Sequence, residues 1–192
     1  MESTRPARAL FLGFAMASSC LALVALDQWT KSLAETRLAG RGIVRLAGDF
    51  VVLVFARNKG AFLSLGSGLS PTLRGFLLVA LPAAVLSCLG WALVAQGRRG
   101  SGKASAPPMG GRAGMVAAVL VLSGGAGNLF DRIAYGEVRD FLNFRIGWLR
   151  TGIMNLADLY ILAALVVVVV ALARSRAGTK GTKNDERPPA SG

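Results

Sequence analysis

Apolar residues are concentrated in four long stretches of the chain, and polar residues fill the segments between them. Each stretch is close to the length of about 20 residues that a helix needs to cross the hydrocarbon core of a bilayer. The four stretches are Ala9 to Leu26, Leu73 to Ala95, Gly114 to Phe130 and Asn155 to Ala173. The pattern predicts an integral membrane protein, mainly α, with four transmembrane helices and with both termini on the same side.

The segment between the first two stretches, residues 27–72, has a different pattern. Ile43 to Ala47 and Phe50 to Ala56 are rich in Val, Phe and Leu, and Gly48-Asp49 lies between them. Two short runs of this kind around a Gly-Asp turn predict a small β-hairpin. The segment Phe141 to Leu149 has similar residues, and we expect it to add a strand.

Two other segments lack this apolar character. Residues 97–111 are rich in Gly, Ser and Pro, and residues 175–192 are polar. Such compositions predict a flexible loop and a disordered tail. We therefore expect residues 1–174 to form a single membrane domain.

The composition limits the chemistry. Hydrophobic residues make up 53% of the 192 residues and charged residues 17%, which excludes an ordinary soluble domain. The net charge is +12, but the basic residues lie between the apolar stretches, so we expect lipid headgroups rather than nucleic acid as the acidic partner. The lack of histidine excludes Ser-His-Asp and Cys-His mechanisms and argues against a zinc site. No metal or organic cofactor is expected.

Asp158 is the first candidate for a functional residue. It lies about one turn into the fourth apolar stretch, in the run Met154 to Asp158. An ionisable side chain is expensive there unless it faces a polar cavity or a partner, so it is a functional candidate by default. The alternative is an acidic residue that only stabilises the N-terminal end of its own helix.

A second polar cluster ends the third apolar stretch, and it places two more carboxylates near the same membrane face as Asp158. Gly124 to Arg132 carries Asp131, and Gly136 to Phe141 carries Asp140. Asn128 and Arg132 are four residues apart and share one helical face. The glycines of the first run have a simpler use, because small residues let helices pack closely in lipid.

Two carboxylates in a site that excludes water cannot both ionise easily, so one keeps a proton while the other is free to act as a base. This is the chemistry of a peptidase without histidine. Asp131, Asp140 and Asp158 compete for the two roles. Asp131 stands beside Arg132 and is more easily explained by a structural salt bridge, which favours Asp140 and Asp158 as the catalytic pair.

Four groups of residues resemble, in their order along the chain, the motifs of the bacterial lipoprotein signal peptidases. They are Asp27 to Lys31, Asn58 to Phe62, Gly124 to Phe141 and Asn155 to Asp158. The resemblance implies an aspartyl endopeptidase whose dyad consists of the Asp of a Val-x-Asp-Phe motif and the Asp of an Asn-x-Ala-Asp motif. In this chain these are Asp140 and Asp158.

The same resemblance implies the setting of the site. The residues expected to shape the substrate site are Asn58, Gly60, Asn128, Arg132 and Asn155. The termini would be cytoplasmic, the insert would form a periplasmic cradle, and the enzyme would work as a monomer in the bacterial inner membrane, with its active site near the periplasmic face. Its substrate would be a prolipoprotein with a diacylglyceryl-modified cysteine, cleaved just before that cysteine.

Asp27 and Lys31 have a simpler interpretation, because an acid/base pair four residues apart commonly stabilises a helix end. We therefore expect them to support the site rather than to catalyse. The chain departs from the family pattern at Phe62-Leu63, Arg139 and Met154. No departure replaces a carboxylate, so we expect them to affect the fine substrate preference rather than catalysis.

Two other classes of protein remain open. A small transporter would use Asp158 and Arg132 along an ion path, but it predicts polar residues in the middle of several spans. In the interior of the second span, Ser87 is the only polar residue apart from glycine and Pro82. A non-enzymatic scaffold, such as an inactive paralogue, would keep the fold without a convergent Asp pair.

Overall fold

The computed structural model describes residues 4–60, 70–98 and 111–185. Helix α1 (Thr4–Leu38) is followed by strands β1 (Val44–Leu46) and β2 (Val51–Asn58). Next come α2 (Pro71–Gly75), a π-helical turn (Phe76–Ala80), α3 (Leu81–Arg98) and α4 (Arg112–Tyr135). Strands β3 (Val138–Ile146) and β4 (Leu149–Arg150) precede helix α5 (Leu156–Asp185).

Within the described residues, three helical segments are long and apolar enough to cross a membrane. They are Leu10–Leu38 in α1, Arg112–Tyr135 in α4 and Leu156–Ser175 in α5. The second predicted stretch also forms a helix, but its apolar part, Phe76–Ala92, is shorter. The π-helical turn lies just before Pro82, whose missing N–H and bulky ring disturb the preceding turn of a helix. The structure is a bundle of apolar helices with a small sheet attached.

The sheet is antiparallel, with the strand order β1-β2-β3-β4. The predicted hairpin is confirmed: β1 and β2 are joined at Ala47 and Gly48, both with positive φ. The predicted third strand is also present, although it begins earlier, at Val138, and turns at Gly147. The sheet therefore unites the insert with the segment before α5.

Strand β2 contains a β-bulge. Leu53 is paired with Leu142 and Ala56 with Asp140, so two residues of β2 stand opposite one residue of β3. Phe141, the residue of β3 opposite the bulge, packs against Ala34 and Leu38 in the last turns of α1. The end of the sheet that carries Asp140 is thereby held against the helices.

Helix α5 extends further than the composition suggested. Residues 175–185, part of the predicted disordered tail, are helical. Adding residues to an existing helix avoids the cost of nucleation, and Ala, Arg and Lys have high helix propensity, so a polar segment can continue the helix. Residues 186–192, most of the predicted flexible loop and the Phe62-Leu63 departure lie outside the described residues.

Candidate active site

Asn155 and Asp158 form a reciprocal cap at the start of α5. The backbone N–H of Asp158 donates to Oδ1 of Asn155 (3.1 Å), and the backbone N–H of Asn155 donates to Oδ2 of Asp158 (3.1 Å). This capping box satisfies two N–H groups that a helix start otherwise leaves unpaired. Asp158 therefore does stabilise its own helix, as the simpler interpretation proposed. Its second oxygen remains available for another contact.

Asn128 of α4 provides that contact. Its Nδ2 donates to Oδ1 of Asp158 (2.8 Å), and its own Oδ1 accepts a hydrogen bond from Nδ2 of Asn155 (3.0 Å). Nδ2 of Asn155 also donates to Oδ1 of Asp140 (2.7 Å). The two candidate carboxylates are thus joined by two amide side chains.

Asp140 is buried, with 3% of its surface exposed. Besides the bond from Asn155, its Oδ2 accepts a hydrogen bond from Nδ2 of Asn58 (3.1 Å). Burial raises the pKa of Asp140 from 3.8 to about 6, and the negative charge of Asp158 adds to the rise, while the hydrogen bonds from the two amides oppose it. Asp140 can therefore hold a proton at a pH where an ordinary aspartic acid has lost it.

The Asn58 side chain has a second bond that sets its orientation. Its Oδ1 accepts a hydrogen bond from the backbone N–H of Gly60 (3.0 Å), which forms an Asx turn at the end of β2. Nδ2 is consequently the atom directed at Asp140. Ala61 and Phe62 of the same motif lie outside the described residues.

Lys31 and Asp27 form a fully buried ion pair (2.8 Å). Nζ of Lys31 also donates to Oδ1 of Asn128 (3.0 Å), and Oδ1 of Asp27 accepts a hydrogen bond from the backbone N–H of Ala157 (2.9 Å). The pair does more than stabilise its own helix, because it connects α1 to the first turn of α5. A Cβ at Gly127 would lie 2.5 Å from Oδ2 of Asp27, so the glycine is what leaves room for this carboxylate.

Asp131 does form a structural salt bridge, but not with the adjacent Arg132. Its Oδ1 accepts a hydrogen bond from Nη2 of Arg139 (2.9 Å), and its Oδ2 accepts bonds from the backbone N–H (3.0 Å) and Nε (3.3 Å) of the same residue. Oδ2 also lies 3.4 Å from Nζ of Lys31. The expected partner was wrong because Arg139 reaches Asp131 across the turn between α4 and β3, which spacing along α4 could not indicate.

Arg132 has unused hydrogen-bonding capacity. Its Nη1 donates a long bond of 3.5 Å to the carbonyl oxygen of Asn128. Its Nε is buried and has no partner among the described residues. The guanidinium also interacts electrostatically with Asp158 and Asp140. A buried donor without a partner is costly, so this group calls for an acceptor such as a water, an ion or a bound molecule.

Four charged residues of the site region were not predicted from the sequence as site residues. Glu35 of α1 accepts hydrogen bonds from Arg57 of β2 and from Arg139 of β3. Arg57 also donates to Glu137 (2.6 Å), and the Arg139 guanidinium lies over the Tyr135 ring at 4.4 Å. The only sequence signal was Arg139 itself, a charged residue where an apolar one is usual. These residues fasten β2 and β3, which carry Asn58 and Asp140, to α1.

The arrangement suits acid/base chemistry. It contains two carboxylates linked by amides, of which one has a raised pKa and the other lies at a helix N-terminus, where negative charge is favoured. Within the described residues no cluster of three or more His, Cys, Asp or Glu could hold a metal ion. Two such carboxylates can transfer protons to and from a bound molecule.

Comparison with known proteins gives a family match over most of the chain. The family model described as Signal peptidase (SPase) II matches residues 19–174. A lipoprotein signal peptidase of Bifidobacterium longum (strain DJO10A) is 35% identical over 160 residues, covering 79% of this chain and 75% of the relative. That of Gloeobacter violaceus is 34% identical over 158 residues, covering 81% and 80%.

Two solved structures have a similar fold. A bacterial membrane enzyme structure determined by the in meso method at 2.3 Å superposes with a TM-score of 0.65 and 22% identity, covering 92% of this chain and 94% of the other. A second, at 1.9 Å, has a TM-score of 0.63 and 24% identity, covering 82% and 92%. The arrangement of apolar helices and a small antiparallel sheet is therefore shared with these two structures.

Proposed function

The chain belongs to the signal peptidase II family, the lipoprotein signal peptidases, and on that premise we propose that Asp140 and Asp158 are its catalytic pair. The substrate is a diacylglyceryl-modified prolipoprotein, cleaved just before the lipidated cysteine. The observation that carries this proposal is the bonded series Asp140, Asn155, Asn128, Asp158, which brings both carboxylates to the start of α5.

The environments of the two carboxylates suggest their roles. Asp158, at the helix N-terminus, is the base that takes a proton from the attacking water. Asp140, with its raised pKa, carries a proton and donates a hydrogen bond to the scissile carbonyl oxygen. The water oxygen bonds to the carbonyl carbon, Asp140 then protonates the amine, and the C–N bond breaks. The proton on Asp158 afterwards returns to Asp140 to restore the starting state.

Arg132 and Asn58 position the substrate peptide in this proposal. Nε of Arg132, which has no partner in the part of the chain that the structure describes, offers a donor to a substrate oxygen close to the carboxylates. Asn58 holds Asp140 and stands at the end of β2, where the insert meets the helices. The diacylglyceryl chains, by contrast, bury apolar surface against the helices and need no carboxylate.

The proposed topology has four spans, with the apolar helix around Phe76–Ala92 as the second. The termini are cytoplasmic, and the sheet and the Asp pair face the periplasm. In this proposal the enzyme works as a monomer. Labelling of a cysteine introduced at Gly48 from the periplasmic side tests the orientation, and labelling only from the cytoplasmic side would refute it.

The decisive experiment uses Asp140→Asn and Asp158→Asn. Each variant is expected to lose cleavage of a lipidated precursor by about 10²- to 10⁴-fold, because an amide cannot exchange the proton, while the double variant is hardly worse than either. A gel-shift cleavage assay beside a binding measurement for each purified protein gives the answer. Substantial turnover by either single variant contradicts the aspartyl mechanism. If the wild type cleaves an unlipidated precursor equally well, the substrate class is wrong.

A further inference from the structure

Two pairs of arginines stand directly opposite each other in the sheet. Arg57 of β2 is paired with Arg139 of β3, and Arg145 of β3 is paired with Arg150 of β4. Like charges in directly opposed positions destabilise a sheet unless something neutralises them. The first pair is neutralised within the protein, because Glu35 binds both of its members.

The second pair has no such partner. Within residues 4–60, 70–98 and 111–185, neither Arg145 nor Arg150 forms an ion pair with a carboxylate, and Nε of Arg145 donates a hydrogen bond to Oδ1 of Asn143 (2.8 Å). Asp49 is nearby, but Arg45 already binds it (3.0 Å). Among the described residues, therefore, these two opposed cations have no ion-paired carboxylate, which leaves them available to an external anion.

These arginines lie on an open groove at the end of the sheet farthest from Asp140. The groove has a volume of about 480 Å³ and is lined by Ala47, Asp49, Phe50, Arg145, Gly147 and Arg150. The groove contains two guanidinium groups, one aromatic ring and the Asp49 carboxylate, which Arg45 binds. The two remaining positive charges suit a phosphate that is joined to an apolar molecule.

The turn beside the groove is apolar and exposed. Trp148 is 90% exposed, and its neighbours Ile146 and Leu149, on the opposite face of the strands from the arginines, are also exposed. Tryptophan is enriched at membrane–water interfaces, where its ring sits among the headgroups, and arginine is attracted to anionic lipid. An exposed apolar turn with a basic face is the composition of a shallow membrane contact.

The contact with α1 sets the distance of the sheet from the apolar stretch of that helix. The apolar stretch of α1 ends at Leu26, and the helix continues to Leu38, one of the residues against which Phe141 packs. Because a helix rises 1.5 Å per residue, the sheet meets α1 about 18 Å beyond the end of that stretch.

We propose that the β3–β4 turn, residues 145–150, docks on the surface of the bilayer, with an anionic phospholipid headgroup bound between Arg145 and Arg150. Trp148 enters the headgroup region and the two guanidinium groups hold the phosphate. The bilayer surface holds the end of the sheet at residues 145–150, as α1 holds the end that carries Asp140. This interaction is separate from the peptidase reaction and does not depend on it.

The test measures which lipid surrounds Trp148. The full chain, with Trp29→Phe and Trp91→Phe so that Trp148 is the remaining tryptophan, is reconstituted in phosphatidylcholine nanodiscs. These contain an equal small fraction of either brominated phosphatidylglycerol or brominated phosphatidylcholine. Stronger quenching by the anionic lipid is expected. Arg145→Gln with Arg150→Gln should reduce this preference by about 5-fold for each arginine removed.

The matched control is Arg37→Gln with Arg41→Gln, which removes two exposed charges near the end of α1 but leaves the groove intact. It should retain the preference. Cleavage in detergent should be unchanged in the variant with Arg145→Gln and Arg150→Gln, which checks that it folds. Arg150→Gln alone, on an exposed edge strand, provides a milder change. The proposal is overturned if both lipids quench Trp148 equally, if the control loses the preference as strongly, or if Trp148 becomes protected only when precursor is added.

Discussion

Arg57 and Arg139 face each other across β2 and β3, and one carboxylate, that of Glu35, binds both. Without it, two opposed cations would remain between the strands that carry Asn58 and Asp140. The geometry of the site thus depends on Glu35, although this residue belongs to none of the motifs.

Glu35→Gln should therefore lower both stability and cleavage. We expect a loss of about 1 to 2 kcal/mol in the free energy of unfolding, below that of a fully buried ion pair, because solvent screens Arg57, whose side chain is 47% exposed. Adding Arg57→Gln should restore part of the loss, since it removes the repulsion. Thermal unfolding and cleavage are measured for both single variants and the double. If the double variant shows the full sum of the two single losses, the repulsion has no role.

Asp131→Asn should act through folding. The substitution removes the fully buried carboxylate that binds Arg139 and leaves Lys31 with Asp27 alone, and breaking a buried pair costs about 3 to 5 kcal/mol. Asp49→Asn makes the same chemical change in an exposed ion pair and should have almost no effect. Thermal unfolding in detergent compares the two. A stable Asp131→Asn that binds substrate but never cleaves it, beside an active Asp140→Asn, would show that the dyad is assigned wrongly.

The raised pKa of Asp140 predicts a pH dependence of stability. The folded protein binds this proton more tightly than the unfolded chain does, so the contribution is complete below the unfolded pKa of 3.8 and is lost as the pH rises through about 6. The loss corresponds to about 3 kcal/mol. The wild type should lose stability relative to Asp140→Asn between about pH 4 and about pH 7. Parallel unfolding curves for the two proteins over this range would show that Asp140 is not perturbed.

Gly127→Ala tests the close approach of Asp27 to α4. The added Cβ would lie 2.5 Å from Oδ2 of Asp27, so either the helices separate or the ion pair with Lys31 breaks. We expect lower thermal stability and lower cleavage. Gly13→Ala, an exposed position in α1 with open space around it, should be neutral or stabilising by up to about 1 kcal/mol. Equal behaviour of the two variants would mean that α1 and α4 tolerate the methyl group.

Much of the site could be predicted because its residues are local in sequence. Asn155 and Asp158 are three residues apart and cap one helix, and the hairpin at Gly48 follows from short-range turn chemistry. The unpredicted contacts have long sequence separations. Arg139 meets Glu35 across 104 residues, and no periodicity in the chain indicates that pair. Arg139 also shows that a departure from a family pattern can be a structural residue in its own right.

The β-bulge in β2 decides which side chain becomes the neighbour of the Asp140 carboxyl. Because two residues of β2 share one position opposite Phe141, Asn58 falls on the face of Asp140 and Arg57 on the face of α1. If the strand were regular from Leu53 onward, its alternation would shift by one residue and Arg57 would face Asp140 instead. A guanidinium there would favour the ionised carboxylate, whereas the amide lets Asp140 keep its proton. One extra residue in β2 thus gives Asp140 a neutral neighbour instead of a cation.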